Sequence, residues 1–257
     1  MHDRSLELDA TEPMGGSLLN LSVPSLTSSD VHVWRIPLGL REDDFSDLRD
    51  LLADEERERA ARFHFEKDAR RFIIARGSVR TILAAYTHSQ ARDLHFFYSP
   101  QGKPSLAQGA SEVRLSVSHS GDLALLAVAR SREVGVDIEC VREDIETDKL
   151  AERFFSTRER ESLRALPQEK RVAAFFRCWS CKEAFLKAQG VGLSRSLNSF
   201  DVDVNVGHPA RLLATRPDPT EAGRWSLREL AVAEGYAAAV ALEGTIGVLS
   251  TLTYGRK

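Results

Sequence analysis

Apolar and polar residues alternate from Val31 to Ile36 in Val-His-Val-Trp-Arg-Ile, the period of a half-buried strand, and Pro37 ends the run. Phe45, Leu48, Leu51 and Leu52 then take helical spacing, and Asp54 stands where it could cap a second short helix running from Glu55 to Arg62. From Asp68 to Tyr86 the spacing of Phe72, Ala75, Val79, Ile82, Leu83 and Tyr86 predicts a long amphipathic helix, with Arg70, Arg71, Arg76 and Arg80 on its other faces. Strands are expected at 94–98, 113–118, 123–129 and 133–139, with Gly, Pro or Ser at the turns between them.

The order then repeats. Ser156-Thr157-Arg158-Glu159 has the pattern of a capping box opening a short helix, and a long helix from Gln168 to Ala188 ends at Gly190. Further strands are expected at 199–206, 211–215, 225–233 and 236–242. The pattern predicts an α+β fold in two parts of like order, an N-terminal half at 31–132 and a C-terminal half at 133–257, behind a disordered tail at 1–30.

A length of 257 residues fits one large domain or two small halves, and 42% hydrophobic residues suffice for a core. The net charge of -3 makes no global case for nucleic acid or a membrane surface as partner, so any anion site is local. No N-terminal apolar core of a signal peptide and no membrane-length apolar run is present, and a cytoplasmic protein is expected. Cys140, Cys178 and Cys181 are an odd count without a disulfide framework. Cys178-Trp-Ser-Cys181 has the spacing of a redox pair, but it falls inside a predicted helix, away from the N-terminal dipole that activates such thiols.

The candidate chemistry lies in two segments. Asp137 and Glu139 in Gly135-Val-Asp-Ile-Glu139 share one strand face, with Val136 and Ile138 on the other. On the second long helix Val172, Phe176, Trp179, Glu183 and Leu186 recur as a buried stripe, so Glu183 stands where an apolar residue is expected and needs a cation or a strong hydrogen-bond partner. Lys187 follows one turn on, on the same face. Taken singly, each of these features reads more simply as a helix-surface ion pair or a solvated strand face.

Together they resemble the Sfp-type 4'-phosphopantetheinyl transferases. The blocks that carry the resemblance run in order: Phe65-Glu-Lys-Asp-Ala-Arg-Arg-Phe72, Gly102-Lys-Pro104, Ser116-Val-Ser-His-Ser-Gly121, Gly135-Val-Asp-Ile-Glu139, and Trp179-Ser-Cys-Lys-Glu-Ala184 with Lys187 beyond. The resemblance implies two similar α/β halves facing each other, each a long helix packed on a small antiparallel sheet, with the active site at their junction. It implies transfer of the phosphopantetheine arm of coenzyme A to a serine of an apo acyl or peptidyl carrier protein, with Mg2+ on the diphosphate. Asp137, Glu139 and Glu183 are then the metal ligands, Glu139 directly or through water. Glu183 is the candidate for activating the serine hydroxyl, directly or through a metal-bound water, and Lys187 contacts the diphosphate. The resemblance assigns coenzyme A phosphate contacts to Ser118 and His119, the adenosine and phosphate site to Lys103, and the 3'-phosphate or adenine to Arg71 and Arg76. Arg70 and Arg80 are expected to be solvated. Where relatives present basic residues, this chain reads Glu55-Glu-Arg-Glu-Arg59, leaving Arg59 as the one contributor there. Duplicated halves let a monomer build the whole site. A metal-dependent phosphodiesterase or nuclease, and a carrier-binding module without catalysis, are the rival readings of the same acids.

Overall fold

The computed structural model describes residues 21–107, 112–205 and 207–255. Its first half runs β1 (Val31–Pro37), α1 (Glu42–Asp50), α2 (Asp54–Ala61), α3 (Glu66–Thr87), β2 (Phe96–Tyr98), β3 (Pro104–Leu106), β4 (Val113–Ser120) and β5 (Leu123–Arg130). The second repeats it: β6 (Val134–Cys140), α4 (Thr147–Phe154), α5 (Thr157–Ala165), α6 (Gln168–Gln189), β7 (Phe200–Val202), β8 (Leu212–Thr215), β9 (Trp225–Glu229) and β10 (Tyr236–Glu243). The sheets repeat as well, with antiparallel order β1-β5-β4 in one half and β6-β10-β9 in the other. The fold is thus α+β and duplicated. The last strand, β11 (Leu249–Thr253), crosses back and pairs in parallel with β1, so the expected second half gives one strand to the first sheet.

Alternation in the strands builds three cores. Trp34, Ile36, Leu126 and Val128 face α3 and pack with its Ile74, Val79, Ile82 and Leu83. Val31, Val33, Leu125 and Ala127 face the other way, onto Val134, Val136, Ile138, Ala238 and Val240 of the second sheet. Ala239 and Ala241 turn from that sheet onto α6 and its Cys181, Ala184, Phe185 and Ala188. The layers therefore run helix, sheet, sheet, helix, and the period of two fixes which residues of β6 look toward α6.

Several expectations are corrected. Residues 1–20 of the expected tail lie outside the described residues, but Leu26 is buried in the first core with Leu21 and Val23 packed against it, so order begins before β1. Asp54 does not cap α2: the N-cap is Ala53, whose N–H is taken by the Glu56 carboxylate at 3.0 Å. Arg80 is not solvated. It is 2% exposed, donates to Glu56 Oε2 at 2.6 Å and to the carbonyls of Ala91 and Leu94, and lies against the ring of Phe96. Arg70 pairs with Glu42 and covers Phe45.

The same device recurs in the second half. Lys182, at the position of α6 equivalent to Arg80 in α3, is fully buried. It meets Glu159 Oε1 at 2.7 Å and donates to the carbonyls of Leu197 and Phe200, with its ammonium 4.1 Å from the Phe200 ring centroid. Glu159 also completes the expected capping box with Ser156 and accepts the Val202 N–H. In each half a glutamate in the first turn of a short helix thus fixes a cation on the long helix.

Two stability predictions follow from these pairs. Glu159→Ala strands an ammonium in the core and should cost about 3–5 kcal/mol in urea denaturation, and a loss under ~1 kcal/mol would refute the pairing. Burial pushes the Glu56 carboxyl up, but Arg76 and Arg80 outweigh it and hold its pKa below the usual value of 4.5. Its contribution is full above that value and is lost as the pH falls through the lower folded one. Glu56→Gln should therefore flatten the acid limb of the stability–pH curve, and an unchanged limb would show that another carboxylate sets it.

Candidate active site

Strand β4 runs beside β6, but the two belong to different sheets. Serines every second residue join them: Ser116 Oγ accepts the Val136 N–H at 3.1 Å, Ser118 that of Ile138 at 3.4 Å, and Ser120 that of Cys140 at 2.9 Å. These hydroxyls stitch the halves and bring the Ser-His-Ser block against the Asp-Ile-Glu strand.

On the other side of β6, α6 comes unusually close. A Cβ on Gly135 would lie 2.0 Å from the Ala184 carbonyl oxygen and 2.2 Å from the Ala188 nitrogen, so only glycine lets the helix backbone settle here. This approach brings Trp179, Glu183 and Lys187, spaced one turn apart along α6, to the face of Asp137 and Glu139. The expected apolar stripe needs correction. Most of α6 is buried around its circumference, and Trp179, Glu183 and Lys187 form its half-buried line.

Lys187 donates to Asp137 Oδ1 at 2.7 Å and to Ser118 Oγ at 2.8 Å, while Ser118 donates to the same carboxylate oxygen at 2.9 Å. The lysine thus crosses to β6 instead of closing a helix-surface pair with Glu183. Asp137 is 3% exposed, and its second oxygen, Oδ2, is buried without a hydrogen-bond partner. Burial pushes the Glu139 carboxyl up, and the Asp137 charge adds to this against hydrogen bonds from Ser120 and Trp179. Burial likewise raises Glu183, reinforced by Asp137 and then Glu139 and opposed by Lys187. No group of three or more His, Cys, Asp or Glu among the described residues forms a ready-made metal cage. What stands here is a cluster of three acids, short of positive charge, with Lys187 at one carboxylate and a bare oxygen beside it. Those oxygen donors fit a hard divalent cation.

The basic residues divide. His119 is exposed at the end of β4, but protein around its ring lowers its pKa, helped by the charges of Lys187, Arg59 and Arg71. Arg71 is paired with Asp122. These four basic residues form one strip beside the acids. Arg76 lies elsewhere, bound to Glu56 and to the Tyr98 hydroxyl. Lys103 latches the halves together, bonding Glu133 and the Ala188 carbonyl at the C-terminal end of α6. Neither ammonium nor guanidinium of these two is brought to the strip by its contacts. Cys178 and Cys181 are fully buried in α6, and burial raises both thiol pKa values, Cys181 to about 12, so neither forms a reactive thiolate.

The sequence reading assigned no role to Ser116, Ser120, Gly135, Trp179 or Lys182. The signal for the serines was their alternation, i, i+2, i+4, along β4. For Gly135 it was a glycine inside a strand, a mark of close backbone approach.

Comparison with known proteins agrees across the chain. The family model for the 4'-phosphopantetheinyl transferase superfamily matches residues 133–241, and that for the 4'-phosphopantetheinyl transferase N-terminal region matches 40–131. The chain is 41% identical to 4'-phosphopantetheinyl transferase HetI of Nostoc sp., over 86% of this chain and 92% of that protein. It is 32% identical to Sfp of Bacillus subtilis over 59% of this chain and 66% of that one. It is 30% identical to the human L-aminoadipate-semialdehyde dehydrogenase-phosphopantetheinyl transferase, over 74% and 67%.

Gly135→Ala tests the packing that assembles this site. The added methyl meets backbone, which cannot rotate away, so a loss of about 1–3 kcal/mol or more is expected in urea denaturation. An unchanged midpoint would mean that α6 does not press on β6.

Proposed function

The chain belongs to the 4'-phosphopantetheinyl transferase superfamily, and on that premise we propose how its residues move the phosphopantetheine arm of coenzyme A onto a carrier-protein serine. The observation that carries the reading is the cluster at the junction of the halves: Lys187 and Ser118 on one oxygen of Asp137, the other oxygen of Asp137 buried and without a hydrogen-bond partner, and Glu139 and Glu183 close enough for the Asp137 charge to raise both.

Asp137, Glu139 and Glu183 would hold Mg2+, which when bound neutralises the diphosphate and makes its phosphorus a better electrophile. Glu183 takes the proton of the incoming serine hydroxyl. Its carboxyl is raised by burial and by Asp137, and a carboxylate so raised is a stronger base than an exposed glutamate. The serine oxygen bonds to the β-phosphorus, the bond from that phosphorus to the bridging oxygen breaks, and 3',5'-ADP leaves with the electron pair. Lys187 meets the charge that develops on the diphosphate, its ammonium oriented by Ser118. His119, Arg59 and Arg71 line the path for the remaining phosphates, where guanidinium forks suit phosphate oxygens. For Arg76 and Lys103 to join them, each must leave the carboxylate it now holds.

No helix among the described residues is long and apolar enough to cross a membrane. A cytoplasmic monomer accords with this and with a site built by two halves of one chain. The phosphodiesterase and the inactive module draw no support from the relatives, which are named as transferases.

Asp137→Ala and Glu183→Gln should each reduce transfer ~100-fold or more while the protein stays folded, and chelation of divalent cations should abolish it. Mass spectrometry of an apo carrier incubated with coenzyme A and Mg2+ reads the product. Above a tenth of wild-type activity in either variant, the assignment of that carboxylate fails. Release of 3',5'-ADP should need a carrier bearing its serine, and equal release without one would favour hydrolysis.

A further inference from the structure

The turn between β4 and β5 touches both subsites and has a partner that the chemistry above does not use. Tyr236, the first residue of β10, lies opposite Cys140 in the β6–β10 register, one residue beyond Glu139. Its hydroxyl accepts the Asp122 N–H at 3.2 Å. Gly121 sits directly on it: the residue has φ +57, and a Cβ there would lie 2.6 Å from the tyrosine oxygen. The turn is held on its first-half side too, where the Leu38 N–H donates to the Asp122 carbonyl at 2.9 Å. Its side chains point to function in both directions. Ser120 donates to Glu139 Oε2 at 3.3 Å, and the Asp122 carboxylate pairs with Arg71.

Asp122 is itself an oddity, a carboxylate 72% exposed at the edge of a strip meant for phosphates. A free acid there would repel the ligand. Held against Arg71, it takes one of five guanidinium N–H donors, and with the Asp68 carboxylate 3.9 Å away on the helix, donors remain for phosphate oxygens. The Arg71 side chain, a flexible rod when unpaired, is thereby kept 25% exposed beside His119. Pre-ordering a long side chain lowers the entropy lost when it binds.

We propose that Tyr236 and Asp122 are positioning residues for phosphate recognition: the tyrosine hydroxyl of the second half fixes the β4–β5 turn, and the turn's aspartate holds Arg71 of the first half ready for the 3'-phosphate. This rests on Arg71 as the reader of that phosphate. The clamp makes cofactor discrimination depend on contact between the halves, since the hydroxyl and the guanidinium come from opposite ones.

The test compares coenzyme A with dephospho-coenzyme A, which lacks the 3'-phosphate, on the full chain with an apo carrier. Variants are Tyr236→Phe, which keeps the ring beneath Gly121, Asp122→Asn, and Arg71→Ala. Tyr236→Phe and Asp122→Asn should each raise KM for coenzyme A roughly three- to tenfold, the effect of one hydrogen bond. KM for dephospho-coenzyme A, KM for the carrier, kcat and the melting temperature should stay near wild type. Arg71→Ala should bring the two cofactors to similar KM. If Arg71→Ala does so while the other two variants keep wild-type discrimination, the clamp is refuted and the phosphate reading of Arg71 stands. If Arg71→Ala leaves discrimination intact, the reading of Arg71 falls and the clamp with it. Equal rises in KM for both cofactors, or a fall in kcat with melting temperature, would make Tyr236 a packing residue and overturn the proposal.

Discussion

Three serine hydroxyls between β4 and β6 decide what the rest of the molecule can do. A backbone ladder would bring these strands to ~4.8 Å and leave no room for a side chain between them. Bridging through Ser116, Ser118 and Ser120 satisfies the edge N–H groups of Val136, Ile138 and Cys140 and interposes one side chain along the seam. The middle serine can then serve two purposes, accepting from the strand and from Lys187 while donating to Asp137. Held in this way, two sheets that already share a core between them also share one site.

The duplication shows what is scaffold and what is chemistry. Glu56 with Arg80 and Glu159 with Lys182 are the same device in both halves, and each cation also takes two backbone carbonyls outside its own helix. Such a device belongs to the fold. The acid cluster occurs once. At the positions of β1 that match Asp137 and Glu139 stand Trp34 and Ile36, both buried in the first core, and the α3 position that matches Glu183 is Thr81. One copy is filled, and the other is left underfilled and acidic.

The sequence made the large elements legible because their period is long and their stops are chemical. Both long helices, the Gly190 terminus and the shared face of Asp137 and Glu139 follow from spacing alone. Elements whose partner is distant in sequence stayed hidden. β11 is short and half polar, and pairs with a strand at the other end of the chain. α4 is a two-turn helix without a side-chain cap. Arg80 read as solvated because a helical wheel cannot foresee the glutamate of another helix that makes its burial tolerable. Within the site, the wheel put Lys187 on the face of Glu183, but it gives no account of the strand passing beneath. The ammonium goes to Asp137 because the Gly135 contact brings that strand within reach.

That choice has an electrostatic reason. Three carboxylates in a half-buried site repel one another, and burial with mutual charge lifts Glu139 and Glu183 toward protonation. The most buried of the three, Asp137, is the one that an ammonium and a hydroxyl hold. Lys187 thus places its charge on the deepest acid and leaves the two shallower ones, raised by burial, as the part of the cluster short of positive charge. On the function proposed above, that shortage at Glu139 and Glu183 is what a divalent cation brought in with a polyphosphate would meet. On the same proposal, the lysine that holds Asp137 and Ser118 is already in place to meet the charge that arrives with the substrate.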